Sequence, residues 1–345
     1  MMALLGTVSM AAALVTAPSA GAAPSTAQTP DPGLTVKSVT LGRSSVLVSG
    51  LNRVAVGVTV KAAYSGSETP LNVLFKRTGG VGPLKSMIAG QLKRTGGSLS
   101  DGTWTGTVDI PSTANGTFKV YGVLPGYLQV GDMTTETPFD GPSVAVTGVH
   151  LPKLAVQVIP RVVPFGSPYQ VKAVIYDSAT ARPYGVRLPL VVTVDDACAE
   201  RGGIARLTDT AGVLYTSFPA ATADWLNCVR VPGGGRFFDT LGLGFVPLRP
   251  GIVAATPSKT SVPVSTVVPV NGTVAGAPYR CPVLLQRLHG RTVWRLASQD
   301  TVRASGRFTV RAQPPNLGNN SYRVYFPTCD RFQAGYSRTF AIRGT

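Results

Sequence analysis

Residues able to do chemistry are few in this chain and far apart. Its 345 residues include two histidines, His150 and His289, and 16 carboxylates. His289 sits in Leu288-His-Gly-Arg291, a turn-like sequence, and His150 lies at a boundary between two domains. There is no G-x-S-x-G elbow, no H-E-x-x-H pair, and no cysteine beside a histidine in sequence. Gly233-Gly-Gly235 lacks the Lys-Ser/Thr that would make it a phosphate loop. Both histidines therefore read as solvated side chains. The chain reads as a non-enzyme needing no cofactor; a hydrolase would require a histidine beside a nucleophile in a cleft.

Oxygen ligands concentrate once, in Asp195-Asp-Ala-Cys-Ala-Glu200, with Asp209 beyond. Calcium takes six to eight oxygens, but the spacing matches no EF-hand and Cys198 would pin the loop. The expectation is a solvated acidic loop with no metal, calcium being the alternative.

The cysteines point to structure. Cys198 and Cys228 are 30 positions apart, Cys281 and Cys329 are 48 apart, and none has C-x-x-C spacing. An even count in an exported chain favours two local disulfides, 198–228 and 281–329.

Charge is the strongest compositional signal. Lys+Arg number 32 against 16 Asp+Glu, a net +16, with 23 Arg and 9 Lys. Residues 34–147 carry +4, residues 148–250 carry +3 and residues 251–345 carry +10. On alternating strands Arg307, Arg311 and Arg323 should point outward, with Tyr325 beside Arg323. If the strands around 307–311 and 322–326 pair as a hairpin, they form one Arg/Tyr stripe. Arg presents a planar fork suited to phosphate and carboxylate groups. Specific nucleic-acid binding is not expected of an exported chain, although +16 would give salt-sensitive non-specific binding.

The elements that must position these residues are strands. Runs such as Val54–Val60, Val171–Tyr176, Arg307–Arg311 and Tyr322–Phe326 alternate with period two between Gly, Pro, Asn-Gly and Asp-Gly signals. Asn115-Gly116 and Asn271-Gly272 read as hairpin turns. The N-terminus differs: a short apolar run, Pro18 and Ala20-Gly21-Ala22 fit a signal peptide cut after Ala22, although no basic residue precedes the run. Residues 23–33 read as a flexible leader. The run is too short to span a bilayer, and no later stretch qualifies.

A repeat emerges over the strands. Gly102/Trp104, Gly212/Leu214 and Gly306/Phe308 each place a glycine two residues before a large apolar residue. Sixteen residues after each glycine come Phe118, Cys228 and Tyr322. Spacings of 110 and 94 residues imply three tandem units, at 34–147, 148–250 and 251–345. Units of about 100 residues with about seven short strands have the size of an immunoglobulin-like sandwich.

The third unit, with Val270-Asn-Gly-Thr-Val274, Cys281-Pro-Val-Leu-Leu-Gln-Arg287, Ala304-Ser-Gly-Arg-Phe-Thr309 and Tyr322-Arg-Val-Tyr325, resembles bacterial Ig-like repeats of exported Gram-positive proteins. The first unit looks similar through Ser100-Asp-Gly-Thr-Trp-Thr105 and Gly116-Thr-Phe-Lys-Val-Tyr121; the second matches least. The resemblance implies an all-β tandem array of three Ig-like sandwiches and a spacer, adhesion or carbohydrate-contact role. The expected protein is secreted, with cell-wall association as a further expectation. Its third unit would use Arg307, Arg311, Arg323 and Tyr325 on anionic cell-wall polymers or glycans. The alternative is a structural spacer or assembly protein with no ligand.

Overall fold

The computed structural model describes residues 31–127, 136–194, 205–232 and 239–345. The expected leader cleavage, Cys198 and the acidic loop at 195–200 lie outside the described residues. Those described form an all-β protein, whose helical turns are the short Ser112–Ala114 and Ala220–Asp224 segments. Alternation explains the strands. In Arg307–Ala312, Phe308, Val310 and Ala312 are buried while Arg307 and Arg311 are exposed. In Arg53–Tyr64, Val56, Val58, Val60 and Ala62 turn inward in the same way.

The strands form three successive groups of sheets. In the first, Leu34–Leu41, Arg53–Tyr64 and Gly102–Pro111 face Leu71–Gly79, Gly116–Pro125, Ser143–Val149 and Ser45–Ser49 across one core. Ser86–Gly97 serves both layers: residues 86–92 pair with Leu71–Lys76, and residues 93–97 pair with Gly102–Thr105. Gln91, at φ 56°, marks the crossing, and its N–H donates to Asn72 Oδ1 at 2.8 Å. The Asn72 amide in turn donates to the Leu124 and Gly126 carbonyls, so this buried polar side chain is satisfied.

In the second group Pro152–Ile159, Tyr169–Asp177 and Val213–Phe218 form one sheet, and Ala205–Leu207, Pro189–Val194, Asn227–Pro232 and Asp239–Phe245 the other. The third group sets Val253–Pro257, Val268–Val274 and Arg307–Ala312 against a larger sheet. That sheet runs Ser261–Val262, Phe340–Gly344, Gly318–Phe326, Pro282–His289 and Val293–Thr301. Its core includes Phe308, Tyr322, Phe326 and Ile342. A disulfide joins Cys281 to Cys329, and Cys228 is disulfide-bonded as well.

The glycine repeat has a physical basis. Gly212 and Gly306 hold φ values of 75° and 77° at the turns that start their strands, a region glycine enters without strain. Trp104, Leu214 and Phe308 follow as buried residues. Phe118, Cys228 and Tyr322 are buried in the opposite sheet of each group.

The two Asn-Gly readings are corrected. Asn271-Gly272 is no turn; it lies inside Val268–Val274. A Cβ on Gly272 would meet the Phe308 ring at 2.1 Å and the Ala254 carbonyl at 2.4 Å, so packing demands the glycine. Asn115 instead closes the Ser112–Ala114 turn, and Gly116 opens the next strand at φ 130°.

Where the second and third groups meet, Arg249 is 2% exposed. Its Nε and Nη2 reach the two Asp224 carboxylate oxygens, each at 3.0 Å. Its Nη1 donates to the Val163 and Pro164 carbonyls, and the guanidinium lies 4.9 Å from the Phe165 ring centroid. Arg331, from the loop after Cys329, reaches Asp224 at 2.9 Å. The Arg249 N–H donates to the Arg331 carbonyl and the Gln333 N–H to the Arg249 carbonyl, both at 2.8 Å.

Candidate anion-binding faces

Arg307 and Arg311 stand on the outer face of the three-stranded sheet, opposite Thr273 and Pro269. Around them this face carries small side chains: Ala254, Thr256, Asn271 and Thr309. They leave an open groove of about 450 Å³ with Arg303 and Arg307 at its edge. Arg303 donates weakly to Thr309 Oγ1 at 3.4 Å and lies 3.8 Å from Asp300. Thr309 Oγ1 donates to Asn271 Oδ1 at 3.0 Å. Asp300 is also engaged by the Thr309 N–H at 2.8 Å, which leaves the two arginines in excess over one carboxylate. Chemically, the groove offers positive charge, hydroxyls and an amide beside the Phe308 ring and the alanines of the neighbouring strand.

Arg323 and Tyr325 are elsewhere. The Gly318–Phe326 strand pairs with Pro282–His289 and Phe340–Gly344, while Arg307–Ala312 pairs with Val268–Val274. The expected hairpin between residues 307–311 and 322–326 does not form, and the four residues make no single stripe. The physical reason is layering: the connection through Pro314 and Pro315 passes the chain from one sheet to the facing one. On the second face the Arg323 Nε donates to Gln286 Oε1 at 2.8 Å. The Arg323 guanidinium carbon lies 4.3 Å from the Trp294 ring centroid and 4.2 Å from that of Tyr336. Tyr325 stacks on Tyr336 with centroids 4.8 Å apart.

Sequence reasoning missed Arg303, Asn271, Thr309, Trp294 and Tyr336. Strand alternation signals which residues face outward; the pairing register that brings them together has no signature in a single chain.

The histidines are engaged in pairs. His150 Nδ1 lies 2.8 Å from Asp177 Oδ2, and that carboxylate also accepts from the Ala179 N–H and Thr180 Oγ1. Burial would raise the Asp177 carboxyl, but these donors outweigh it and hold it below the usual range. Tyr184 donates to the His150 carbonyl, and burial with the nearby Asp177 charge pushes its phenol up to about 12. Thr180 donates to the carboxylate rather than to the imidazole, so this pair lacks the geometry of an activated nucleophile. His289 Nε2 accepts from Arg287 Nη2 at 2.8 Å; partial desolvation and the charges of Arg287 and Arg295 lower its pKa. Among the described residues no three His, Cys, Asp or Glu side chains gather as a metal cluster, and no helix is long and apolar enough to cross a membrane.

Two-layered sheets of this kind define a protein of immunoglobulin-like β-sandwiches. No family model matches the chain, and no curated protein does. Among solved structures it is similar to the Yersinia pseudotuberculosis adhesin InvE at 10% identity and a TM-score of 0.27, over 55% of this chain and 58% of that one. It is also similar to the tetra-tandem repeat of a large adhesion protein, at 13% identity and a TM-score of 0.29, over 86% of this chain and 74% of that one. The Dpr2 Ig1-Ig2 in complex with DIP-Theta Ig1-Ig3 structure aligns at 9% identity and a TM-score of 0.25, over 89% of this chain and 99% of that one. At such scores the superpositions carry no functional argument, and the fold assignment rests on the sheets themselves.

Proposed function

We propose that the chain is an exported, non-catalytic array of three immunoglobulin-like domains, at 34–147, 148–250 and 251–345. It acts as a binding or adhesion module at the cell envelope, and the third domain contacts anionic polymers or glycans. The groove edged by Arg303 and Arg307 carries this reading, because its charge is open to solvent and Asn271 and Thr309 lie beside it. Binding is multivalent, weak per contact and salt-dependent. The disulfides fit an oxidising, extracytoplasmic setting.

A second reading, a structural spacer without a ligand, draws on the contact of buried Arg249 with half-exposed Asp224, which would stiffen an array. Retention of the full chain on purified cell-wall material across a salt series separates the two. Binding near 150 mM salt (roughly the physiological screening regime) that the Arg303→Ala/Arg307→Ala/Arg311→Ala variant loses supports the module. Elution at low salt, or retention indifferent to the substitutions, leaves the spacer.

A further inference from the structure

The face opposite the groove carries a second constellation with a different logic. Arg323 is clamped between the Trp294 and Tyr336 rings, 4.3 and 4.2 Å from their centroids, and Gln286 holds its Nε. Among the described residues, its two Nη groups have no hydrogen-bond partner. Neither carboxylate of residues 251–345, Asp300 or Asp330, is paired with it. The guanidinium lies over both rings and its Nε is held by Gln286, which leaves the two Nη groups as the donors that meet a ligand. Its orientation is fixed beforehand, so binding there costs little side-chain entropy.

We propose that Arg323 is the anchor of a carboxylate-binding site, and that its ligand is a uronic-acid unit of an acidic polysaccharide. A carboxylate can pair with the two Nη groups through two parallel charge-assisted hydrogen bonds. The ligand also carries an apolar ring face. Cross-strand pairing sets Leu296 opposite Gln286 and Leu284 opposite Tyr325 on this side of the sheet, and Leu296 is 61% exposed. A sugar ring covers such side chains; a bare anion does not. The site shares the anionic class of ligand with the proposed function, but it uses none of the groove residues.

The test is calorimetric titration of the full chain with a galacturonic acid trisaccharide, its methyl ester and inorganic phosphate. The acid should bind at least tenfold more tightly than the ester or phosphate. Arg323→Lys, which keeps the charge and loses the fork, should weaken the acid at least tenfold. The Arg307→Ala/Arg311→Ala variant should change it less than twofold. Gln286→Leu, which frees Nε and leaves the clamp, should weaken it severalfold, and it decides the matter if Arg323→Lys fails to fold by circular dichroism. No binding of the acid, equal binding of the ester, or full affinity in Arg323→Lys overturns the site. Loss in the Arg307→Ala/Arg311→Ala variant alone would overturn it while supporting the groove.

Discussion

Arg249 and Arg307 are the same residue type put to opposite uses. Arg249 is buried, its nitrogens paired with Asp224 and two carbonyls and its face against Phe165. Arg307 is exposed on a sheet face with no carboxylate partner among the described residues. The difference teaches that formal charge overstates available charge. Part of the positive excess of residues 251–345 is spent internally: Arg331 goes to Asp224, and Arg287 to His289. What remains for a partner is the groove's arginines, the outer edge of Arg323 and the exposed Lys259, Arg280, Arg291, Arg295, Arg338 and Arg343.

The largest expected effect lies at the disulfide, because it ties down the loop that delivers Arg331 and Phe332 to the contact between the groups. Cys329 and Phe332 exchange backbone hydrogen bonds at 3.1 and 2.9 Å, so that loop is anchored on the bridge. Closing a 48-residue separation is worth about 4 kcal/mol by loop entropy, less where the reduced chain keeps structure. Cys281→Ser/Cys329→Ser should lower the denaturant midpoint of the third group accordingly, and it should also raise amide exchange at Gln333. A midpoint unchanged from the oxidised protein would separate the bridge from the joint.

Next comes the joint itself. Asp224→Ala leaves a buried guanidinium with carbonyl partners alone, a loss of about 3 kcal/mol. Hydrogen exchange reads it locally: the Arg249 and Gln333 amides should exchange about 100-fold faster, at 1.36 kcal/mol per decade. Amides of the first group, such as that of Val58 in the buried Arg53–Tyr64 strand, should not change. The sensitivity to pH follows from the same carboxylate. Burial would raise Asp224, but its hydrogen bonds and charge contacts with Arg249 and Arg331 hold it below the usual value. A depressed carboxyl contributes stability that is present above the unfolded value, near pH 4, and is lost as pH falls through the folded one. The protection factor of the Arg249 amide should therefore fall below about pH 4, and in Asp224→Asn the acid step should vanish.

Much of this was legible in the sequence, and the limits have physical reasons. Phe308 and Val310 inward with Arg307 and Arg311 outward is a statement of period two, which any half-buried strand obeys. The Gly306/Phe308 repeat marks a turn and a core residue, both local demands. Arg323 beside Arg307 was an inference about pairing, and pairing is decided by which layer a strand joins after Pro314-Pro315. Gly272 shows the same limit. An Asn-Gly pair favours a turn locally, but the Phe308 ring crossing over the glycine fixes it within a strand. The Trp294–Arg323–Tyr336 clamp joins three strands separated in sequence, so no spacing announces it.

The smallest expected effect is the sharpest check on the contrast between the two kinds of arginine. Arg307→Ala and Arg311→Ala remove exposed side chains that make no ion pair among the described residues, so each should change stability by less than about 0.5 kcal/mol. Their consequence should appear only in salt-dependent retention on anionic material, where removing contacts flattens the dependence on salt. A stability loss comparable to that of Asp224→Ala would mean that Arg307 and Arg311 hold the sandwich together. The distinction between spent and available charge would then fail at the one place where it predicts binding.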